Sequence, residues 1–201
     1  MSQFPTEPKK IRARITRYER ELRKERAKFG YISDGYGKRY LLGPLYLLMD
    51  DVAGAVKSFE WFEQTFPDDV GEPVHFLCWT LALVRSGDAV QAAHRLRQTM
   101  LSNLYLIPHL LGREQDELDI WHGTNYEQKD FLEYVPPEIW ALWDAPALHW
   151  AQETYDSPEL CQVRARHIEI YKLLESEPPG PRRSELLDEA FSLGTIKPEQ
   201  P

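Results

Sequence analysis

The feature that most constrains the fold is a pattern of small and aromatic residues between positions 42 and 67. Small residues at Gly43 and Ala55 allow two helices to approach closely, and the aromatic side chains fill the space where the pair packs on its neighbour. A proline ends a helix because it cannot continue the hydrogen-bond ladder. The pattern predicts a helical hairpin with its turn at Asp50 and Asp51. Its elements are Leu42, Gly43, Tyr46, Ala55, Phe59 and Pro67.

A second, weaker copy of the pattern follows the insertion at residues 70–73, and alignment of the two turns gives a period of 37 residues. Thr80 stands where the first copy has Gly43. Residues 36–102 resemble tetratricopeptide repeats, whose usual period is about 34 residues. The resemblance implies an α-α superhelix of antiparallel helical hairpins that binds proteins on its concave face. The second copy consists of Trp79, Leu83, Gly87, Asp88, Ala92, Leu96 and Met100.

Two later segments are similar to parts of a bacterial group of tetratricopeptide-like proteins. Residues 103–112 (Asn-Leu-Tyr-Leu-Ile-Pro-His-Leu-Leu-Gly) resemble a segment that follows the repeats in that group, and Trp143 with residues 146–150 (Pro-Ala-Leu-His-Trp) resembles a later one. Some members carry a cysteine-rich zinc-binding tail. Residues 194–201 contain no cysteine, so the resemblance implies no zinc site here.

The whole chain is predicted to be all-α, because no stretch alternates with period two for long enough to indicate a sheet. Proline and capping residues open the C-terminal helices at Pro136-Pro137, Asp144 and Ser157-Pro158. We divide the chain into a basic N-terminal helix at 1–35, the repeats at 36–112 (about 36–69 and 73–106), a helical region packed on them at 113–176, and a linker, short helix and tail at 177–201.

The N-terminal segment is an amphipathic basic helix that ends near Gly30. Its apolar residues lie on one side at helical spacing, interrupted only by Glu25: Ile11, Ile15, Tyr18, Leu22 and Phe29. Such a stripe is buried against the same protein, in a dimer seam or at a membrane interface. The basic residues of the other faces are Arg12, Arg14, Arg17, Arg20, Arg23, Lys24 and Arg26.

Charge is distributed asymmetrically along the sequence. Residues 1–40 contain twelve Lys or Arg and five Asp or Glu, a net charge of +7, whereas the remaining residues carry -15. The basic arm can reach outward to nucleic acid or an anionic lipid surface. We favour the alternative, in which the arm folds back and neutralises the acidic surface of the same chain.

The sequence lacks three motifs that are typical of enzymes: a glycine-rich phosphate loop, Gly-x-Ser-x-Gly and His-Glu-x-x-His. We predict no catalytic residue, no cofactor and no metal site. The strongest polar cluster can hold a divalent ion, but its spacing matches no calcium loop and favours a solvated acidic loop. It comprises Glu114, Asp116, Glu117, Asp119 and His122.

The concave face implied by the resemblance is formed by the first helix of each repeat, where Tyr40, Leu47, Leu81 and Arg85 are the candidate partner-binding residues. This face is mostly apolar, so it must be covered by the C-terminal helices, by the basic N-terminal helix or by an amphipathic partner helix. We favour the C-terminal helices. Trp140 and Trp143, three residues apart on one helix, are further candidates that can line a groove.

We therefore expect a non-enzymatic protein-protein interaction module of adaptor, chaperone-like or neutralising type, whose partner is another protein or peptide. The alternatives are nucleic-acid binding through the basic helix and, less favoured, a metal-dependent enzyme using residues 114–122. No run of 18 apolar residues and no secretory signal is present, and Cys78 and Cys161 stand alone. These features predict a cytoplasmic protein that does not insert into membranes.

Overall fold

The computed structural model describes residues 4–194, and this part of the chain is all-helical, with no β-strand. The all-α prediction is confirmed. None of the helices in this range is long and apolar enough to cross a membrane. The α-helices are α1 Pro8–Phe29, α2 Lys38–Leu47, α3 Val52–Thr65, α4 Pro73–Ser86, α5 Ala89–Ser102, α6 Leu106–Leu110, α7 Pro137–Ala141, α8 Ala145–Tyr155, α9 Pro158–Ser176 and α10 Pro181–Leu193, with 3₁₀ helices at Asn125–Glu127 and Lys129–Tyr134.

Helices α2 to α5 form two hairpins, because α2 packs on α3 and α4 packs on α5 across short turns. The predicted turns are confirmed. The Asp51 side chain caps α3 by accepting a hydrogen bond from the Gly54 backbone N–H at 2.8 Å, and Asp88 caps α5 in the same way. Gly87 ends α4 with φ at +85°, a left-handed conformation that glycine adopts without strain.

The first hairpin closes on Gly43 and Phe59. A Cβ atom built on Gly43 would lie 2.2 Å from Cζ of Phe59, so the ring packs directly on the glycine backbone of α2. Phe59 is fully buried and its ring stacks on Trp79 of α4, with centroids 5.3 Å apart and ring planes 7° apart. The small residue at position 43 therefore allows one aromatic ring to join three helices.

Helix α1 docks on α2 through its apolar stripe, in which Ile11, Ile15 and Leu22 are buried. The prediction that Phe29 shares this burial is wrong, since its side chain is 53% exposed. Lys38, the first residue of α2, contacts Glu21 at 3.2 Å. Helix α2 therefore begins beside Glu21, about two turns from the C-terminal end of α1, and does not cover Phe29.

Glu25, which interrupts the stripe, has a structural role in the loop between α1 and α2. Its Oε1 atom accepts hydrogen bonds from the backbone N–H groups of Ser33 and Asp34, at 3.0 and 3.3 Å. The carboxylate thus satisfies two donors of a loop that has no ladder partners of its own.

The C-terminal helices pack on the second hairpin, where α8 contacts α4. Ile139, Trp143, Ala147 and Ala151 of the 137–151 segment belong to the same buried core as Leu81. Helix α8 also contacts α5, and α9 carries the core onward to α10. Residues 137–193 therefore close the fold instead of extending an open array.

The segment 103–112 is organised by Asn103, which is almost fully buried. Its Oδ1 accepts from the backbone N–H groups of Tyr105 and Leu106, at 2.9 and 3.0 Å. Its Nδ2 donates to the carbonyl oxygens of Tyr126 and Gln128, at 2.7 and 3.1 Å. One side chain therefore fixes both the start of α6 and the path of the 3₁₀ region.

Candidate binding site

Helix α1 presents a continuous basic face to solvent, opposite its buried stripe. Its basic side chains, from Lys9 to Lys24, lie on one side of the helix at 100° per residue. The first and last are fifteen residues apart, or about 23 Å. All of them are exposed, whereas Arg14, on the flank, is half-buried. We define the basic face as Lys9, Arg12, Arg17, Arg20, Arg23 and Lys24.

The basic face is not neutralised by the acidic body of the protein. Its one ion pair lies within α1, between Arg17 and Glu21 at 4.0 Å. Within residues 4–194, Arg12, Arg20, Arg23 and Lys24 form no ion pair. The favoured expectation was that the arm, residues 1–40, folds back to neutralise acidic residues. Arg39 does so, because it pairs with Asp69 at 2.8 Å. Helix α1 folds back through apolar packing, and its basic face stays exposed.

Beside the basic face lies a groove between α1 and α3 with a volume of about 350 Å³. It exists because α1 packs chiefly on α2 and not on α3. Glu19, Arg23 and Arg26 follow one another at steps of four and three and so line the α1 side. We call this the α1/α3 groove; its other main lining residues are Leu22, Ile32, Leu42, Tyr46, Lys57 and Trp61.

The charge of Glu19 is committed to a contact inside the protein. Its Oε1 accepts a hydrogen bond from the Tyr46 hydroxyl at 2.6 Å. Burial, and then this hydrogen bond, raise the pKa of Tyr46 above its ordinary value, while nearby Arg23 acts in the opposite direction. Tyr46 therefore stays a neutral donor, and the groove lining carries three cations, Arg23, Arg26 and Lys57, against the one carboxylate of Glu19.

Three of the predicted partner-binding residues are buried instead of lining an open face. Leu47 and Leu81 are 1% and 0% exposed, and Trp143 is 5% exposed. All three belong to the same buried core as Ile139 of α7 and Ala147 of α8. In this structure they have no surface to offer a partner.

The other three predicted residues are half-buried and hold internal contacts. Tyr40 donates a hydrogen bond to Asp69 at 2.6 Å, and burial with this bond raises its pKa. Arg85 donates to the carbonyl oxygen of Leu142 at 2.6 Å, which ties α4 to the segment before α8. Trp140 packs on His109, with ring centroids 4.9 Å apart. These residues are not brought together into one site.

The acidic segment 114–122 does not assemble into a cluster. Across residues 4–194, no group of three or more His, Cys, Asp or Glu side chains is placed to hold a metal ion. Arg164 reaches the segment by donating to Gln115 Oε1 at 2.9 Å. The segment thus connects to α9 through a polar contact.

No family model, curated protein or solved structure matches this chain. The tetratricopeptide resemblance of residues 36–102 and the bacterial grouping consequently stay predictions.

The α1/α3 groove is the feature that sequence reasoning missed. Trp61 is half-buried in the wall of the groove and packs edge-on against Phe66, with centroids 5.7 Å apart. Lys57 carried no signal because an isolated lysine on a helix is ordinarily a solvated surface residue. The groove depends on how α1 crosses α2, which local sequence pattern does not specify.

Proposed function

We propose that this protein is a non-enzymatic protein-protein interaction module of adaptor or neutralising type, in which tetratricopeptide-like hairpins support helix α1 as the binding element. The partner is a protein that presents an acidic segment to the basic face. The hairpins supply a rigid base for α1 through the buried side chains Ile11, Ile15 and Leu22. Under this proposal the predicted concave-face residues Leu47 and Leu81 belong to the core, and the exposed side of α1 binds the partner.

One observation carries the proposal: among residues 4–194, the cations of the basic face are exposed and, apart from Arg17, form no ion pair. The chain as a whole is acidic, with a formal net charge of -8. A positive strip on a negative body gives orientation to an approaching acidic partner, because like-charged regions repel it and the strip attracts it. The apolar groove beside the strip favours a protein partner, since it offers burial to side chains.

Single-stranded nucleic acid is a second candidate, favoured by exposed aromatic rings at the C-terminal end of α1. Phe29, Tyr31 and Tyr36 are 53%, 65% and 88% exposed, and Lys28 and Lys38 lie over two of these rings. Bases stack on exposed aromatic rings beside cations, and such binding weakens steeply with salt. The acidic body opposes this mode beyond α1.

Capture from an extract of the source cell tests the proposal. The bait is the full chain, and the variant Arg20→Glu/Lys24→Glu reverses two charges of the basic face. Lys172→Glu/Arg182→Glu is the matched control, because it makes the same change in net charge at exposed residues of α9 and α10.

A discrete protein identified by mass spectrometry with the wild type and the control, and lost with Arg20→Glu/Lys24→Glu, supports the proposal. Capture of that protein by all three baits places the contact elsewhere. Nucleic acid as the only captured species, released at about 0.5 M salt where exposed charges are screened, contradicts the proposal and promotes the second candidate.

We also propose that the protein acts in the cytoplasm. Its two cysteines are unpaired, Cys78 in the core and Cys161 on the surface. Free thiols are typical of reducing compartments.

A further inference from the structure

We infer that the α1/α3 groove binds apolar side chains of the acidic partner segment, so that the partner is an acidic amphipathic helix. This inference rests on the proposed function and deepens it. The basic face alone attracts any polyanion of suitable length, whereas the groove selects partners that carry apolar residues beside their acidic ones.

The floor and walls of the groove are apolar. Leu22 and Leu42, 1% and 4% exposed, form part of its floor. Ile32 and the half-exposed Trp61 line its sides. Its volume of about 350 Å³ falls in the range of sites that enclose ligand groups. A leucine or aromatic side chain that enters the groove would leave water and pack on these apolar surfaces, which lowers the free energy of binding.

The rim of the groove is cationic on both sides. Arg23 and Arg26 come from α1, and the exposed Lys57 comes from α3. Glu19 is the acidic residue of the lining, and the three cations outweigh its single negative charge. An occupant therefore meets an apolar floor between positive margins. This charge arrangement fits apolar residues flanked by Glu or Asp and disfavours a basic or uniformly apolar segment.

The groove is longer than one side chain requires. A second depression of about 430 Å³ shares Arg26, Ile32 and Trp61 with it and continues to Tyr31 and Phe66. Two connected depressions between helices match an amphipathic helix, which places apolar residues at steps of three and four on one face. Arg23 belongs to both the groove and the basic face, so one helix can engage the two surfaces together.

Fluorescence anisotropy with two labelled peptides tests the inference. Both are glutamate-rich and about 15 residues long, which spans the basic face as a helix. The first carries two leucines one turn apart, and the second carries serines at those positions, so the peptide charges are equal. Burial of about half of each of the two leucine side chains predicts about 10- to 100-fold tighter binding of the first peptide.

Two groove variants locate the effect. Ser58→Leu places a larger side chain at a 9% exposed position of the groove lining, and Trp61→Ser removes a wall. Trp121→Ser, at a half-buried tryptophan against Tyr171 of α9, is the matched control. Thermal unfolding first establishes that each variant folds. Either groove variant that folds should bind the two peptides equally, while the control keeps the preference for leucine.

The outcomes separate the inference from the proposed function. Equal binding of both peptides by the wild type, weakened by Arg20→Glu/Lys24→Glu, leaves the proposed function standing and overturns the groove inference. Binding of neither peptide overturns both. A leucine preference that survives in Ser58→Leu and Trp61→Ser places the apolar contact elsewhere and also overturns the inference. Self-association of the wild type that Trp61→Ser abolishes would assign the groove to a second copy of the chain.

Discussion

Replacement of Gly43 with alanine adds one methyl group where α2 packs on the ring of Phe59. The new Cβ would lie 2.2, 2.3 and 2.7 Å from Cζ, Cε1 and Cε2 of that ring. All three distances are far inside van der Waals contact, so the ring or the helix must move. The ring has little freedom, because it stacks on Trp79 and meets His75 edge-on with centroids 5.0 Å apart.

Two opposing effects determine the size of the change. Overpacking of a core typically costs 1–3 kcal/mol, and a fully buried, stacked ring places this site near the upper end, at about 3 kcal/mol. Alanine is favoured over glycine inside a helix by about 1 kcal/mol, which offsets part of that cost. The net expectation is a loss of about 2 kcal/mol in the free energy of unfolding, or a decrease of about 4–8 °C in Tm for a chain of this size.

Urea unfolding followed by tryptophan fluorescence and circular dichroism measures the loss, with an unchanged m-value as the check on a two-state comparison. The matched test is a double-mutant cycle with Phe59→Leu, which removes the clashing ring atoms. Gly43→Ala/Phe59→Leu should be more stable than the sum of the single effects by about 1–2 kcal/mol. A Gly43→Ala variant as stable as the wild type, or additivity in the cycle, would refute the packing argument.

Two further predictions concern buried polar residues. Asn103→Ala leaves the backbone groups that its amide satisfies without a partner, so it should lower the free energy of unfolding by about 2–3 kcal/mol. Ser102→Ala is the control and should change little, because its hydroxyl is bonded only within α5. Urea unfolding measures both variants, and equal effects would contradict the role given to Asn103. Burial lowers the pKa of His75 to about 3. Below about pH 6.5 the unfolded chain therefore binds a proton at this residue that the folded chain does not bind. As the pH is lowered from about 6.5 to 3, the free energy of unfolding should fall by up to about 1.4 kcal/mol per pH unit. His75→Leu should lose that part of the pH dependence and keep the part due to His167, whose pKa is lowered to about 4. If the free energy of unfolding of the variant and the wild type changed in parallel with pH, His75 would not be the cause of the pH dependence.

The candidate surface was predictable in part. Helical spacing in residues 9–28 identified both the buried stripe and the opposing cations, because one helix face follows directly from residue order. Whether those cations pair with the acidic body was not predictable. That outcome depends on the direction in which α1 crosses α2, and the structure turns Arg12, Arg20, Arg23 and Lys24 outward.

The residues proposed for the concave face show the opposite case. Leu47 and Leu81 were correctly identified as apolar positions on the first helices of the hairpins, but apolar character alone does not distinguish a binding face from a core. They share a buried core with residues of α7 and α8, which lie about 55–110 positions later in the chain. Long-range packing of this kind leaves no local sequence signal.

The sequence by itself determined the helices, their caps and the turns, since these depend on neighbours within a few residues: Asp51 caps α3, Asp144 caps α8 and Ser157 caps α9. It also indicated the close packing at Gly43, because a glycine on one helix and the aromatic ring of Phe59 on the next allow the two helices to approach closely. The tertiary structure alone decided which apolar faces are covered. It buried Leu81, exposed Phe29 and opened the α1/α3 groove, because each outcome depends on the angle between helices distant in sequence.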